Sequence, residues 1–252
     1  MKTKDNFGKY VSMALDPIFI GTGGYQLGRV DLTIVREPGT GIPKIPGSTI
    51  NGIARTYAAM QYNKFPKCAG QGTEVSTHCG ESACPICNTF GYIKKISSKN
   101  DEKIETFQGL ALFKDMQILL FPVYTIYGPV WITSLNILEN LFMNDKNLLK
   151  YICEIRENFL KEETVLINTN FSIKNISYIN LGSFMYDIKT EDKIQEIIDE
   201  LEKLSIPKMI LERMVIVHDN IIGLIINDNL EIRTSVSIDP STGTAKEHAL
   251  FT

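Results

Sequence analysis

Hydrophobic and polar positions along the chain change period several times, which is typical of interleaved strands and helices. Alternating or continuous apolar runs between glycine, proline and asparagine predict strands, and apolar residues three or four apart predict helices. The predicted strands are residues 9–20, 30–35, 109–113, 116–121, 130–133, 221–226 and 231–238, with shorter β-like runs across 165–186. The predicted helices are residues 48–62, 135–159 and 191–204.

These elements lack the regular strand–helix alternation of a doubly wound sheet, so the pattern predicts an α+β fold around an antiparallel sheet. With 252 residues, 44% of them hydrophobic, the chain can bury a full core. It has no apolar run of about 18 residues, and no secretory signal at its N-terminus. We therefore expect a soluble, cytoplasmic protein with no membrane partner.

The charge of the chain argues against a free-standing nucleic-acid binder. Its formal net charge is −3, whereas binding to phosphates usually requires a basic protein. The charge is uneven, however. Basic residues outnumber acids between Arg29 and Arg55, lysines recur between Tyr92 and Lys103, and acids gather between Glu191 and Glu202. The composition is thus compatible with a local basic face on an acidic protein.

Four of the five cysteines fall in one segment with the spacing Cys68-x10-Cys79-x4-Cys84-x2-Cys87. Two cysteines separated by two residues form a knuckle that can grip one ion. In a reducing cytoplasm such a cluster is more often a metal site than a set of disulfides. Tetrahedral Zn²⁺ bound by four thiolates has no open position for catalysis. The spacing therefore predicts a structural zinc site.

Two alternatives to this interpretation stay open. His78 is adjacent to Cys79 and is a second candidate for the same ligand position. A thioredoxin-like redox pair at Cys84 and Cys87 is the rival, although such a pair normally follows a strand directly and opens a helix. Cys153 lies in an apolar predicted helix and is interpreted as part of the core.

The segment Pro46-Gly47-Ser48 opens the predicted helix 48–62. Exposed N–H groups and the positive end of the helix dipole suit a phosphate there, and Arg55 two turns later could add a bidentate contact. The glycines around it do not form a Walker A site, because the required lysine is missing. From the spacing alone, an ordinary helix capped by Ser48 is the simpler interpretation.

Residues 30–55, VDLTIVREPGTGIPKIPGSTINGIAR, resemble the segment that identifies the RAMP superfamily, and especially the repeated backbone subunits of type III CRISPR effectors. The middle of the chain, about residues 136–229, is less similar. Further segments resemble the family in the same order: the Phe-Gly after the cysteines at 89–92, the central strands at 113–123 and 127–133, and the final segment at 232–251.

This resemblance implies one RAMP domain over residues 1–252, with a modified ferredoxin-like (RRM-like) core. It places a zinc-binding insertion at about residues 66–91 and implies a thumb-like β-hairpin, which we expect at about residues 164–180. Family members usually continue beyond the position of Thr252. We therefore expect the chain to be a piece, for example of a fusion of several repeats, or its closing element to come from elsewhere.

The resemblance also implies a subunit that binds CRISPR guide RNA and cleaves complementary target RNA in antiviral defence. Its other partners would be further copies or repeats of the fold and other type III effector subunits. Asp31 matches the aspartate of catalytic members, and its carboxylate could hold Mg²⁺ or another divalent ion, or accept a proton. The implied RNA contacts are Arg29, Arg36, Gly47, Ser48, Thr49, Asn51 and Arg55, with Asn51 in place of the family's lysine.

Two other functions remain open. A non-catalytic scaffold of the same fold would bind guide RNA without cutting it. A zinc-stabilised interaction module unrelated to RNA would carry no nucleic acid through purification. By spacing alone Asp31 is a turn residue beside a strand, but its match to the family favours the enzyme. A two-histidine ribonuclease site is not expected, because His78, His218 and His248 all lie far from Asp31 in the sequence.

Overall fold

The computed structural model describes residues 8–23, 33–70, 78–98, 101–158, 161–232 and 235–251. The chain divides into two compact units, Met1–Ile42 with Ile118–Thr252, and Pro43–Gln117. The described helices are α1 (Gly47–Gln61), α2 (Pro85–Phe90), α3 (Leu135–Leu141), α4 (Lys146–Asn158), α5 (Ile194–Lys203), α6 (Lys208–Leu211) and α7 (Ile222–Asp228). The described strands are β1 (Lys44–Ile45), β2 (Tyr92–Ser98), β3 (Asp101–Phe107), β4 (Met116–Gln117), β5 (Phe121–Thr125), β6 (Gly128–Ser134), β7 (Thr164–Ile167), β8 (Tyr178–Leu181), β9 (Phe184–Thr190), β10 (Met214–Val217), β11 (Ser235–Ile238) and β12 (Ala245–Phe251).

A six-stranded sheet with the order β5-β6-β10-β7-β9-β8 organises the first unit. Strand β10 is parallel to β6, and β7 is parallel to β9. The remaining neighbours are antiparallel. The sheet is therefore mixed, which corrects the antiparallel sheet predicted from the sequence. The two strands of each parallel pair are not consecutive in the chain, because β7, β8 and β9 lie between β6 and β10, and β8 lies between β7 and β9. Parallel neighbours need such long connections, whereas antiparallel neighbours can be joined by a short turn.

Strand β10 shows why the centre of this sheet is stable. Its side chains alternate between two apolar clusters, so the strand is buried on both faces. Met214 and Ile216 pack with helices α3 to α6, and Val215 and Val217 pack in the cluster that contains α7. Burying each side chain of this size contributes roughly 1.5–3 kcal/mol.

The structure corrects three elements predicted from the sequence. Residues 221–226 form most of helix α7 rather than a strand, with Ile222, Ile225 and Ile226 buried. Residues 9–20 and 109–113 contain no strand. Short apolar runs fit both periods, so only their tertiary partners decide between helix and strand.

The predicted thumb at about residues 164–180 contains no β-hairpin. Strand β7 lies inside the sheet between β10 and β9, and β8 pairs with β9 rather than with β7. Between them, Phe171 is buried in the core. The chain packs this segment inward because its apolar residues complete the cluster over the sheet.

The second unit contains α1, the four cysteines of the segment 68–87, and a two-stranded hairpin formed by β2 and β3. The predicted insertion at about residues 66–91 is one part of this unit. Strand β1 pairs with β4, which brings Lys44 opposite Gln117 at the start of α1. In the described part of the chain, no helix has the length and apolarity needed to span a membrane.

Candidate metal centre and helix-start site

The fold of the second unit brings the four predicted cysteine ligands together. Cys68, Cys79, Cys84 and Cys87 are all buried, and their Sγ atoms lie within 4.8 Å of one another. The distance from Cys79 Sγ to Cys87 Sγ is 3.6 Å, and Cys68 Sγ lies 3.9 Å from both Cys84 Sγ and Cys87 Sγ. Thiolates bound tetrahedrally at about 2.3 Å from one Zn²⁺ lie roughly 3.8 Å apart. The cluster therefore fits a four-coordinate metal ion.

Backbone hydrogen bonds prepare these sulfur atoms for a cation. The backbone of Cys79, Glu81 and Gly80 hydrogen-bonds to Cys68, Cys79 and Cys87, respectively. Burial nevertheless raises the pKa of the Cys68 thiol, and raises the pKa of Cys87 to about 12. Burial also acts on Cys79, but hydrogen bonds outweigh it there and lower the pKa. A bound cation would favour the thiolate form of the buried sulfurs by pairing with their charge.

The structure supports neither His78 as a ligand in place of Cys79 nor a redox pair at Cys84 and Cys87 as well as it supports four thiol ligands. The imidazole Nδ1 of His78 accepts a hydrogen bond from the Ile93 N–H at 3.1 Å, while Cys79 Sγ belongs to the cluster. Cys84 and Cys87 do open the short helix α2, as a redox pair would. No strand leads into that helix within residues 78–84, however, and two further thiols close the cluster. The geometry favours a metal centre.

Arg55 lies in this centre and not on the surface of α1, where the sequence placed it. Its side chain is only 8% exposed, and its Nε donates a hydrogen bond to the Cys68 carbonyl oxygen at 2.7 Å. Burial lowers the pKa of Arg55, and the four cysteines oppose that shift. The helix carries Arg55 inward because α1 packs its Arg55 and Ala59 face on the cysteine segment.

The start of α1 is held by a residue that the sequence did not single out. Asp115 Oδ1 accepts the Gly47 N–H at 2.8 Å, and Asp115 Oδ2 pairs with Lys44 Nζ at 2.6 Å. Lys44 and the Gly47 N–H hold the pKa of the Asp115 carboxyl below its ordinary value. The carboxylate takes the place that an anion would occupy at this helix end. A sequence signal was present, because Asp115 lies in a segment similar to the family's central strands.

The N-cap of α1 is also not the residue that the sequence predicted, Ser48. The helix begins at Gly47, with Pro46 at its cap and no side-chain capping hydrogen bond, so Ser48 is not the cap. The side chain of Ser48 is exposed, and Thr49 and Asn51 are half-buried. These three side chains lie in the first turns of α1 and are at least partly exposed, so a ligand can reach them beside the carboxylate of Asp115.

Of the remaining predicted site residues, Arg36 lies in the described part of the first unit. Arg36 is exposed, and its guanidinium donates to the Gly41 carbonyl at 3.0 Å and to Asn227 Oδ1. It thereby tightens the turn that follows Val35. Asp31 and Arg29 lie outside the described residues.

Comparison with known proteins identifies the family. The RAMP superfamily profile matches residues 13–252. The chain belongs to the RAMP superfamily. The chain is also similar to the CRISPR system Cmr endoribonuclease Cmr4 of Pyrococcus furiosus, with 26% identity over 245 residues that cover 94% of this chain and 73% of that protein.

Solved structures support the fold of this RAMP protein. A chain of the type III-B Cmr-beta complex bound to cognate target RNA aligns with a TM-score of 0.59 at 15% identity, covering 92% of this chain and 73% of that one. A chain of the apo complex aligns with a TM-score of 0.56 at 16% identity, covering 93% and 74%. The mixed α+β fold is therefore one that chains of the type III-B Cmr-beta complex also have.

Proposed function

We propose that this RAMP protein is a guide-RNA-binding backbone subunit of a type III CRISPR effector and that it cleaves complementary single-stranded target RNA. One observation carries the proposal: the similarity to the Cmr endoribonuclease Cmr4 extends over 94% of the chain. Its partners are guide RNA, target RNA, further copies or repeats of the same fold and other effector subunits. We place the assembly in the cytoplasm, where cysteines stay reduced.

The chemistry assigned to Asp31 follows from how RNA breaks. A 2′-oxygen attacks the neighbouring phosphate in line with the leaving 5′-oxygen, and a displaced base permits that geometry. The carboxylate accepts the proton of the 2′-hydroxyl, or it holds Mg²⁺ or another divalent ion beside the phosphate.

Guide RNA would be bound partly at the start of α1. The exposed Ser48 and the half-buried Thr49 offer hydroxyl groups beside the positive end of the helix dipole. Asn51 lies one turn further on, and the Gly47 N–H is already engaged by Asp115. In the other unit, Arg36 offers an exposed guanidinium, and Arg29 extends the same basic segment in the sequence.

Zinc is the ion that best suits the cysteine centre. Four thiolates at these separations fit its tetrahedral preference, and the ion would join the segment that follows α1, through Cys68, to α2, through Cys87. The metal would be structural, since four protein ligands leave no position for water. Cys68, Cys79, Cys84 and Cys87 would hold it.

Two finer features of the family fold can be assigned. Strands β7, β8, β9 and β10 have the order β10-β7-β9-β8, which is the strand order of a ferredoxin-like core, and α5 and α6 form the helical connection from β9 to β10. The core is a modified one, because β7 and β9 are parallel and residues 168–177 between β7 and β8 contain no helix. The thumb-like hairpin is better assigned to β2 and β3, which pair over seven residues and form a sheet of their own.

The test is cleavage of a labelled complementary RNA by the guide-loaded assembly. Wild type, Asp31→Ala and the control variant Asp16→Ala would each be assayed with Mg²⁺ and with EDTA. We expect regularly spaced cuts from wild type and the control, no cuts from Asp31→Ala, and equal guide binding by all three. Cuts that persist in Asp31→Ala would refute the role of Asp31, and the EDTA lanes report the need for metal.

A non-catalytic scaffold is the alternative. It would bind guide and target in the same experiment without cutting target in wild type or either variant.

A further inference from the structure

Arg55 differs from the other charged residues in the described part of the chain because it alone is buried. Its Nε is committed to the Cys68 carbonyl. Its Cδ and Nε pass 3.6 Å from the point where a Cβ on Gly70 would lie, which is an ordinary van der Waals distance, so the arginine passes close to this glycine. Its Nη2 is buried, with no hydrogen-bond partner among the described residues. A cation held away from water with an unused donor calls for a compensating negative charge.

The cysteine cluster provides that charge. A divalent ion bound by four thiolates is a dianion, and burying a net charge without a counter-charge is costly. The guanidinium of Arg55 interacts electrostatically with all four cysteines. Groups that hydrogen-bond around metal ligands orient them and tune the affinity for the ion.

We propose that Arg55 is a positioning residue of the metal centre, which balances the charge of the metal–thiolate cluster and anchors the Cys68 loop to helix α1. This inference rests on the zinc site proposed above. It also links two parts of the second unit, because the helix that carries Arg55 begins beside Ser48 and Thr49, the candidate RNA contacts. Occupancy of the metal centre would thereby hold the helix that presents Ser48 and Thr49.

The competing role for Arg55 is a direct phosphate contact. That role requires an accessible guanidinium, whereas this one is 8% exposed and directed at the backbone of a ligand residue. The two roles predict different measurements. A phosphate contact contributes about one unit to the salt dependence of RNA binding, and a metal-positioning residue does not.

The experiment compares wild type with Arg55→Met, Arg55→Lys and the control Lys67→Met. Lys67 is exposed beside Cys68, so its variant removes an equal charge near the centre without touching the buried contact. Zinc content and affinity would be measured by competition with a chromophoric chelator. Thiolate-to-metal charge-transfer bands would be recorded with Co²⁺, and the salt slope of guide-RNA binding would be measured on the same proteins.

We expect Arg55→Met to lower zinc affinity by about 10- to 100-fold and to shift the Co²⁺ bands. Arg55→Lys should recover part of the affinity, because it keeps the charge, and Lys67→Met should resemble wild type. The salt slope should be the same in all four proteins. If Arg55→Met does not fold, Arg55→Lys tests the proposal. Because a lysine cannot reproduce the Nε contact to the Cys68 carbonyl, we still expect Arg55→Lys to have a lower zinc affinity and a shifted Co²⁺ spectrum relative to wild type.

Each contrary outcome has a distinct meaning. Wild type that binds no zinc would overturn the zinc site, and this inference with it. Wild-type zinc affinity and spectra in the Arg55 variants would overturn the inference and leave the zinc site intact. Equal losses in Arg55→Met and Arg55→Lys would overturn charge balance. A salt slope lowered by about one with unchanged zinc affinity would assign Arg55 to a phosphate.

Discussion

At the scale of single residues, Asp115 shows how one carboxylate serves two elements. It accepts the first N–H of α1 and pairs with Lys44 on β1, so it joins the helix start to the short β1–β4 ladder. A negative charge at this end of a helix is favourable. The same charge competes with phosphate for the site. Guide RNA would therefore meet Ser48 and Thr49 first, and the Gly47 N–H would stay with Asp115.

The charge of Asp115 can be tested by pH with Asp115→Asn, which keeps an acceptor for the Gly47 N–H. The folded pKa of Asp115 lies below its unfolded value, because Lys44 and this N–H favour the carboxylate. Its contribution to stability is therefore fully present above the unfolded pKa, about 4, and is lost as the pH falls through the folded pKa. We expect Asp115→Asn to unfold more easily than wild type above about pH 5, with the difference shrinking under acid.

Urea unfolding at several pH values from neutral to acidic measures this difference. The exposed Asp16→Asn variant serves as the control for loss of one negative charge. A gap between wild type and Asp115→Asn that stays constant with pH would show that the charge of Asp115 contributes nothing to folding.

At the scale of elements, helix α1 contains two glycines in contrasting surroundings. A Cβ on Gly47 would lie 2.2 Å from the Phe113 carbonyl oxygen and 3.0 Å from the Lys114 carbonyl carbon, so backbone atoms exclude any side chain there. A Cβ on Gly52 would meet nothing within 4 Å. The glycine at the helix start is thus required by close backbone approach, and the other only weakens the helix.

Matched alanine variants at these glycines should have opposite effects on stability. Gly47→Ala should lower the free energy of unfolding by about 1–3 kcal/mol, because the 113–115 segment must move and the Asp115 contact loosens. Gly52→Ala should raise it by roughly 0.5–1 kcal/mol, because alanine favours the helix. Denaturant unfolding of the two variants beside wild type gives both values. Equal effects of the two substitutions would show that the contact between α1 and the 113–115 segment is absent in solution.

At the scale of the whole molecule, an acidic chain is proposed to bind an acidic polymer. The net charge is −3, so non-specific attraction to RNA is weak and binding depends on local groups. Some acidic residues of the first unit form ion pairs within it, such as Asp219 and Glu139 with Arg156. These pairs neutralise part of the local negative charge of the first unit.

The protein purified from its native host should therefore carry guide RNA that salt removes. We expect an absorbance ratio at 260 and 280 nm typical of a nucleoprotein at low salt, and of protein alone after a high-salt wash, since phosphate contacts weaken as salt rises. A protein-like ratio at low salt would favour the zinc-stabilised interaction module instead. Sequencing the released RNA distinguishes a guide from random RNA.

The sequence by itself determined several helices, the cysteine cluster and the family of this protein, because each of these depends on a local pattern of residues. The cysteine spacing predicted the cluster that the structure assembles, and 3.6-residue periodicity predicted α1, α5 and the helices between residues 135 and 159. The family followed from ordered motifs around residues 30–55. These features depend on neighbours in the chain, so they can be predicted before the tertiary structure is known.

Tertiary structure decided what depends on distant partners. Residues 221–226 became a helix because Ile222, Ile225 and Ile226 bury one face over the sheet, and the short strand β10 formed because both of its faces are covered. Packing against the cysteine segment buried Arg55, which the sequence had placed at the surface. Asp115 reached Gly47 across 68 positions of the chain. Hydrophobic burial and electrostatic pairing act between groups that folding brings together, and no local pattern contains those distances.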